Sequence, residues 1–563
     1  MKILIGKDIR QADLRTIETE PVKSIDLMER AAEAIESEIS TVADCRGFSV
    51  RGRCRCPVPE YLVVVGKGNN AGDGLAVARL LFRRFGTARK ISVLCAYPQE
   101  DMSEDCRANF LRLPSSVLRY DFRDGRIIKS SDSVPVNSGA VFSRCTVIID
   151  ALLGTGISGP VKDPVRRLIR LINSVSAMCR MVISVDLPSG LPTEPEPAAA
   201  PDVVAADMTV TVEFPKLSLL LPDTGRFAGK LSVVPIGLDR KFIKSASSSF
   251  YALDRQMICG MMKQRGEFDN KGTHGHALLI AGSVGMMGAA VLCSGAALRS
   301  GCGLVTARVP MQERKVIHIS LPSAIVSVDQ GPVFSSLPEN LSKYSSVAAG
   351  PGLGQKQETV SALRCLLSSL SGRHKAIARS GAFEPHVKTL VLDADALNII
   401  SAHPDMFSLI PSGAVLTPHI GELSRLLKAA VSSGFIDAPV TLVGDRPAAP
   451  GLYPWNNDLQ KIAMVRDLSH KLDSVVIVKG AHTMICAPDG RCFFNMTGNP
   501  GMAKGGSGDI LTGLIAGLAA RGYDSLSAAV LGVWFHGEAG DRAAKEFGVE
   551  SMNSSDILSM LRI

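Results

Sequence analysis

Two α/β domains in succession are what this chain predicts, each a mostly parallel sheet with helices on both faces. Three observations lead there. The chain has 563 residues, more than one hydrophobic core ordinarily spans. Short β-branched runs alternate with helical stretches along its length, the pattern of parallel sheets. Those runs stop at glycines or acids, the place where open α/β sheets hold ligands.

In the first half the strands are read at "YLVVVGKGNNAGDG", "ISVLCAY", "VIIDALLGTG", "MVISVDLPSG" and "MTVTVEF", with a helix at "LAVARLLFRRFG". The tract "LPTEPEPAAAPD" (191–202) reads as a surface loop. Polar "DRKFIKSASSSFYALDRQ" (239–256) is the linker candidate, dividing a domain over 1–240 from one over 250–563. The pattern then restarts with "HALLIAGS", "LVTARVP", "SSVAAGPGLG", "TLVLDADALN", "AVLTPHIGE" and "SVVIVKGAHT", without sequence similarity between the halves.

Composition narrows the function classes. With 46% apolar and 21% charged residues the chain matches globular averages, and a net charge of +8 without basic tails or interleaved aromatics points away from nucleic acid. Thirteen cysteines are scattered through apolar runs and are expected as reduced core thiols; Cys45, Cys54 and Cys56 cluster but lack a fourth zinc ligand. The apolar run at the N-terminus is too short for a signal peptide. Residues 277–298 are uncharged, yet read as strand, turn and small-residue helix rather than a membrane span. A cytoplasmic protein is expected.

Chemistry concentrates at strand ends. Asn69, Asn70 and Asp73, then Asp150 with the "GTGISGP" turn, then Asp186 and Ser189 put acids, amides and a hydroxyl where a cation could sit, beside glycine amides suited to phosphate. Each motif alone reads equally as a turn. Near the C-terminus, "GNPGMAKGGSGDILTG" (498–513) runs a glycine-rich turn into a helix whose Ile510, Leu514 and Leu518 recur every four positions. Turn amides and the helix end stabilise anions. An acid there, Asp509, would repel phosphate as a ligand, but suits a proton acceptor for a hydroxyl attacking a phosphoryl group.

In their order, "SIDLMERAA", "GKGNNAGDG", "DALLGTGISGP" and "VDLPSG" resemble the YjeF N-terminal domain of the NAD(P)H-hydrate epimerases, a Rossmann-like three-layer α/β sandwich. "GSVGMMGAA", "GPGLG", "LDADALN", "TPHIGE", "KGAHT" and "GNPGMAKGGSGD" resemble the ADP- or ATP-dependent NAD(P)H-hydrate dehydratases, whose fold is ribokinase-like. Together they resemble the bifunctional nicotinamide-nucleotide repair family.

The resemblance implies that Asn69, Asn70, Ala71, Gly72, Asp73 and the turn Gly154, Thr155, Gly156, Ile157, Ser158, Gly159, Pro160 line the hydrated dinucleotide, with Asp186 as acid/base group. It implies a potassium ion on Asn70, Asp150 and Ser189. In the second half it implies that Ala289, Gly352 and His419 touch the hydrate and Asp509 takes the proton of its hydroxyl. Lys479, Gly480, Ala481, His482, Thr483, Gly505, Gly506 and Gly508 would hold ADP or ATP, accompanied by magnesium.

His419 reads alternatively as a strand-end cap, and Asp395 as the cap of a helix beginning at "ALNII"; Asp393 and Asp395 stay outside the catalytic set, as orienters of substrate or magnesium. Where the family has GNNGGDG this chain has Ala71, a cost of about 1 kcal/mol if φ there is positive.

The implied substrates are NADHX and NADPHX. The first domain would interconvert their C6 epimers and the second would dehydrate the S epimer, in a homo-oligomer without nucleic-acid or membrane partners. A ribokinase-like vitamin-alcohol kinase fused to a ligand-binding domain is the nearest alternative, and a non-catalytic ligand-binding scaffold the next.

Overall fold

A computed structural model describes residues 1–44, 58–157, 159–195, 202–380, 389–438 and 453–563; Ser158 and the cysteines at 45, 54 and 56 lie outside the described residues. Two compact units are present, residues 2–248 and residues 249–563 with Met1.

The first unit carries nine strands: β1 (Glu60–Val65), β2 (Ile91–Cys95), β3 (Leu118–Arg123), β4 (Arg126–Lys129), β5 (Val134–Val136), β6 (Thr146–Ala151), β7 (Met181–Val185), β8 (Met208–Val212) and β9 (Lys230–Val234). Their order is β5-β4-β3-β2-β1-β6-β7-β8-β9. Only β4 and its neighbours run antiparallel. Central strands read as unbroken apolar runs because both faces are covered. Tyr61, Val63 and Val65 of β1 enter one core with Ile35 and Leu75, while Leu62 and Val64 enter the opposite core with Leu168 and Ile172. Full burial of each such side chain contributes about 1.5–3 kcal/mol, which fixes the register of β1 between β2 and β6.

In the second unit the strands are β10 (Phe250–Ala252), β11 (His276–Ile280), β12 (Leu304–Pro310), β13 (Ile325–Asp329), β14 (Ser346–Ala349), β15 (Thr389–Leu392), β16 (Val415–Leu416), β17 (Val475–Val478), β18 (Met484–Cys486) and β19 (Cys492–Phe494). The order is β10-β19-β18-β17-β16-β15-β14-β11-β12-β13, parallel except for the β17-β18-β19 meander. Helix Ser507–Ala520 packs on helix Met287–Arg299 at backbone distance: a Cβ on Gly513 would lie 1.8 Å from the Cys293 carbonyl oxygen.

Three expectations need correction. The linker candidate contains the division between the two units, after residue 248, but is not irregular: it holds a helix, Arg240–Ser245, and strand β10, which pairs with β19, an edge strand that local polarity concealed. Cys145 is disulfide-bonded, whereas Cys95, Cys106 and Cys293 are buried free thiols. Ala71 sits inside helix Asn69–Phe85, fully buried, and is absent from the positive-φ residues, so alanine carries no strain there. Residues 277–298 form β11, a turn and a helix, and no helix among the described residues is long and apolar enough to cross a membrane.

Candidate functional site

In the first unit, β1, β6 and β7 are neighbours at the centre of the sheet, so the three polar motifs after them meet at one sheet edge. Asn69 to Asp73 form the first turn of the helix that follows β1. The Asn70 side-chain amide donates to the Leu153 carbonyl at 2.8 Å, joining that turn to the segment after β6. Gly154 lies against it: a Cβ there would come within 2.9 Å of Asn70 Cβ. Thr155, Gly156, Ile157, Gly159 and Pro160 continue this segment.

Asp150 is fully buried, and its carboxylate accepts from Ser184 Oγ at 2.8 Å, Ser189 N at 2.9 Å, Ser189 Oγ at 2.6 Å and Leu152 N at 3.3 Å. Burial raises its pKa and these hydrogen bonds work against the rise. A buried anion held by neutral donors alone is costly. The oxygens of Asp150, Ser189 and the Asn70 amide form an all-oxygen set, the chemistry a hard cation selects. They fit potassium.

Asp186 occupies the left-handed region at φ 64, a strain of about 1–3 kcal/mol for a residue other than glycine. It accepts from Lys216 Nζ, from Thr211 Oγ1 at 3.1 Å and from Val212 N at 3.1 Å. Lys216 is only 2% exposed, so this is a buried ion pair. Asp73 is pushed well above the usual carboxylate range, first by loss of water contact and then by the negative charges of Asp186 and Asp13. Lys216 was invisible to motif reading, because its partner lies 30 residues away and only the β7–β8 pairing brings them together.

In the second unit β15, β16 and β17 are adjacent, which gathers Asp393, His419 and Lys479 just beyond their ends. A single parallel bridge links His419 to Lys479. Lys479 Nζ lies 2.7 Å from Asp393 Oδ1 and 3.9 Å from Glu422 Oε2. Thr512 Oγ1 donates to Asp393 Oδ2 at 2.7 Å, tying the pair to helix Ser507–Ala520. Ala394, which follows Asp393, is strained at φ 47.

That helix starts after Gly506, at φ 89, and carries Asp509 in its first turn. A Cβ on Gly508 would lie 3.2 Å from Lys479 Nζ. The Asp509 carboxyl is raised to about 6, chiefly by burial and then by Asp393, with Lys479 pulling the other way. Asp509 therefore lies within electrostatic reach of Lys479, and Lys479 and His419 both stand against Glu422.

His419 does cap helix Ile420–Ser432: Nδ1 accepts from Gly421 N at 3.0 Å, and Glu422 accepts from His419 N at 2.8 Å. With Nδ1 an acceptor, the neutral ring carries its hydrogen on Nε2, which faces Glu422 Oε1 at 3.3 Å. The side chain remains 54% exposed, open to a ligand. Burial and Lys479 lower its pKa. Ala289 and Gly352 come together, a Cβ on Gly352 falling 3.0 Å from Ala289 Cβ, and Ser283 Oγ donates to the Gly352 carbonyl at 2.8 Å.

Gly480, Ala481, His482 and Thr483 form the turn from β17 to β18, closed by Thr483 Oγ1 on the Gly480 carbonyl at 3.1 Å. The Gly505 carbonyl accepts from Ser554 Oγ at 2.6 Å, fixing the glycine turn before Gly506 and Gly508.

Asp395 does not cap its helix through a side-chain bond; it accepts from Gly354 N at 2.8 Å and locks the "GPGLG" turn. The helix begins at Ala394, two residues before the "ALNII" start expected from the sequence. Asp393 and Asp395 are thus both engaged, and no group of three or more His, Cys, Asp or Glu among the described residues is placed to hold a metal. A magnesium ion here would take most of its ligands from nucleotide phosphates and water. Sequence reading had set Asp393 aside and passed over Thr512 and His536; the latter is driven down to about 4 by burial and Lys479 and pairs with Ser507 Oγ at 3.2 Å.

Known proteins resemble both halves of the chain. Residues 277–562 match the family model described as NAD(P)H-hydrate dehydratase, and residues 24–218 the model of the YjeF-related protein N-terminus. The bifunctional NAD(P)H-hydrate repair enzyme of Moorella thermoacetica is 32% identical, the match covering 100% of this chain and 96% of that one. The Escherichia coli enzyme of the same description is 29% identical, covering 99% and 92%. A solved ADP/ATP-dependent NAD(P)H-hydrate dehydratase from Bacillus subtilis, co-crystallised with ATP and magnesium, is 25% identical with a TM-score of 0.43, covering 55% of this chain and 96% of that one.

Proposed function

This chain belongs to the bifunctional NAD(P)H-hydrate repair enzymes, and on that premise we propose which of its residues carry the two reactions. It epimerises hydrated NADH and NADPH and dehydrates them at the expense of a nucleotide. The observation carrying the residue assignment is Asp509: half-buried, raised to about 6, at the positive end of a helix.

A carboxylate with that value is ionised at neutral pH yet a far better proton acceptor than an exposed aspartate. Asp509 takes the proton from the C6 hydroxyl as its oxygen bonds to the transferred phosphoryl group. The amides of Gly505, Gly506 and Gly508 and the helix end stabilise the charge developing on that group. Lys479, steered by Asp393 and Thr512, supplies a fixed cation beside the reacting groups. Its nearest neighbours in the turn to Thr483 complete the ADP or ATP subsite, with magnesium brought by the nucleotide phosphates.

Phosphorylation turns a poor leaving group into phosphate. The ring nitrogen's electron pair expels it, and loss of the C5 proton restores the dihydronicotinamide. His419 is a donor at Nε2 rather than a base, so it orients the hydrate alongside Ala289 and Gly352 and leaves proton abstraction to Asp509.

For epimerisation, the hydroxyl must leave one face and water must return on the other. Asp73, biased toward its protonated form, suits the departing hydroxyl; Asp186, ion-paired with Lys216, suits the returning water. Asp150, Ser189 and Asn70 would hold a potassium ion, which would supply positive charge beside the adjoining turns. The reading places the enzyme in the cytoplasm with its substrates.

Purified protein is offered an epimer mixture with ADP, then ATP, while recovery of reduced-nicotinamide absorbance is followed. Full recovery of both epimers, abolished in Asp509→Asn with epimerisation intact, is the expected result. Dehydration persisting at the wild-type rate in that variant overturns the assignment.

A further inference from the structure

Beside the cluster just described, a cleft of about 580 Å³ is lined by Gln355, Asn398, Ser401, Arg425, Lys428 and Ser432, with two alanines. It contains two cations, several neutral hydrogen-bonding groups and no carboxylate. Such a lining selects an anion.

Both ends of the cleft connect to the hydrate subsite. Gln355 follows the "GPGLG" turn that carries Gly352, and its amide reaches Asp395 Oδ1 at 3.4 Å. Arg425 and Lys428 stand three residues apart on the helix that His419 caps, so they share a face. Arg425 Nε and Nη2 both donate to Asn398 Oδ1, at 3.1 Å and 2.8 Å, which holds the guanidinium in place while it stays exposed. Its Nη1 points back toward the start of the helix, 3.8 Å from where a Gly421 Cβ would stand, and its charge is felt by His419.

A dinucleotide whose C6 lies at Asp509 has most of its length still to place, including two riboses, a pyrophosphate and an adenosine that bears a further phosphate in NADPHX. We propose that this cleft is the phosphate subsite of the hydrated dinucleotide, with Arg425 and Lys428 as the groups that hold its pyrophosphate or its 2′-phosphate. The assignment rests on the dehydratase reading given above. It makes Arg425 and Lys428 determinants of affinity that take no part in the proton transfers.

Fluorescence titration with NADH and NADPH reads the cleft without turnover. Charge-assisted bonds to phosphate predict that Arg425→Ala weakens dinucleotide binding about ten- to a hundredfold, that Lys428→Ala weakens it too, and that Arg425→Lys recovers part of the loss. Both side chains are exposed, so folding is not at stake. In turnover, the KM for the hydrates should rise while kcat and the KM for ADP hold.

Equal losses for NADH and NADPH identify the pyrophosphate as the bound group; a loss confined to NADPH identifies the 2′-phosphate. Unchanged affinity for both in the double variant overturns the proposal, as does a KM for ADP that rises in step with that for the hydrate. A wild-type protein that binds the dinucleotides in an Arg425-dependent way but dehydrates no hydrate would sink the reaction assigned to the site and leave the cleft standing.

Discussion

Replacing Asp509 by asparagine separates two roles by the sign of a stability change. The carboxyl is raised from 3.8 to about 6, so ionising it in the folded protein costs about 3 kcal/mol more than in the unfolded chain. Between these two values the folded state binds more protons than the unfolded state. Stability therefore falls as pH rises from about 4 to about 6, and the penalty is complete above that. Asparagine does not ionise. At pH 8 the variant should be more stable than wild type by up to about 3 kcal/mol, reduced by whatever attraction Lys479 loses, and the two should converge near pH 4. Thermal unfolding at pH 5 and pH 8 reads this as a rise in the transition of the second unit, at about 2–4 °C per kcal/mol for a unit of this size. Dehydration should fall about a hundred- to ten-thousandfold over the same substitution. A plain helix-end acid would behave oppositely: removing it costs about 0.3–1 kcal/mol and spares activity. A variant that is less stable at pH 8 and still dehydrates refutes the base.

Wild-type dehydration should decline as pH drops through about 6, where Asp509 takes up its proton, and Lys479→Met should move that decline to higher pH because Lys479 holds the value down; an unmoved profile would detach Lys479 from Asp509. Lys216→Met leaves Asp186 buried without its cation, so epimerisation should be lost with dehydration retained, at a stability cost of about 3–5 kcal/mol; assaying each reaction on separated epimers checks this. Ala71→Gly restores the family's glycine inside a buried helical turn and should destabilise the first unit by about 1 kcal/mol, measured by differential scanning calorimetry, where a stabilised variant would contradict the helical assignment.

What was legible in the sequence was whatever lies within one strand and the turn after it. The runs before Asn69, Asp150 and Asp186 are long enough to be buried on both faces, so their ends could be found and their glycine-rich turns read as ligand contacts. Strand order was not written there. Asp393 and Lys479 are 86 residues apart and become partners only because β15 and β17 flank β16; the Asp186–Lys216 pair depends in the same way on β7 lying beside β8. Cap and ligand are also indistinguishable in one dimension, and His419 proves to be a cap whose other nitrogen lies against Glu422 while the ring stays exposed. The pairing of Lys479 with Asp393 then explains the carboxylate in an anion nest. Lys479 already has a hydrogen-bonded partner in Asp393, so it offsets only part of the burial of Asp509. In the proposed mechanism Asp509 gains its basicity because more carboxylates surround Lys479 than one lysine can satisfy, and a substrate hydroxyl supplies the proton.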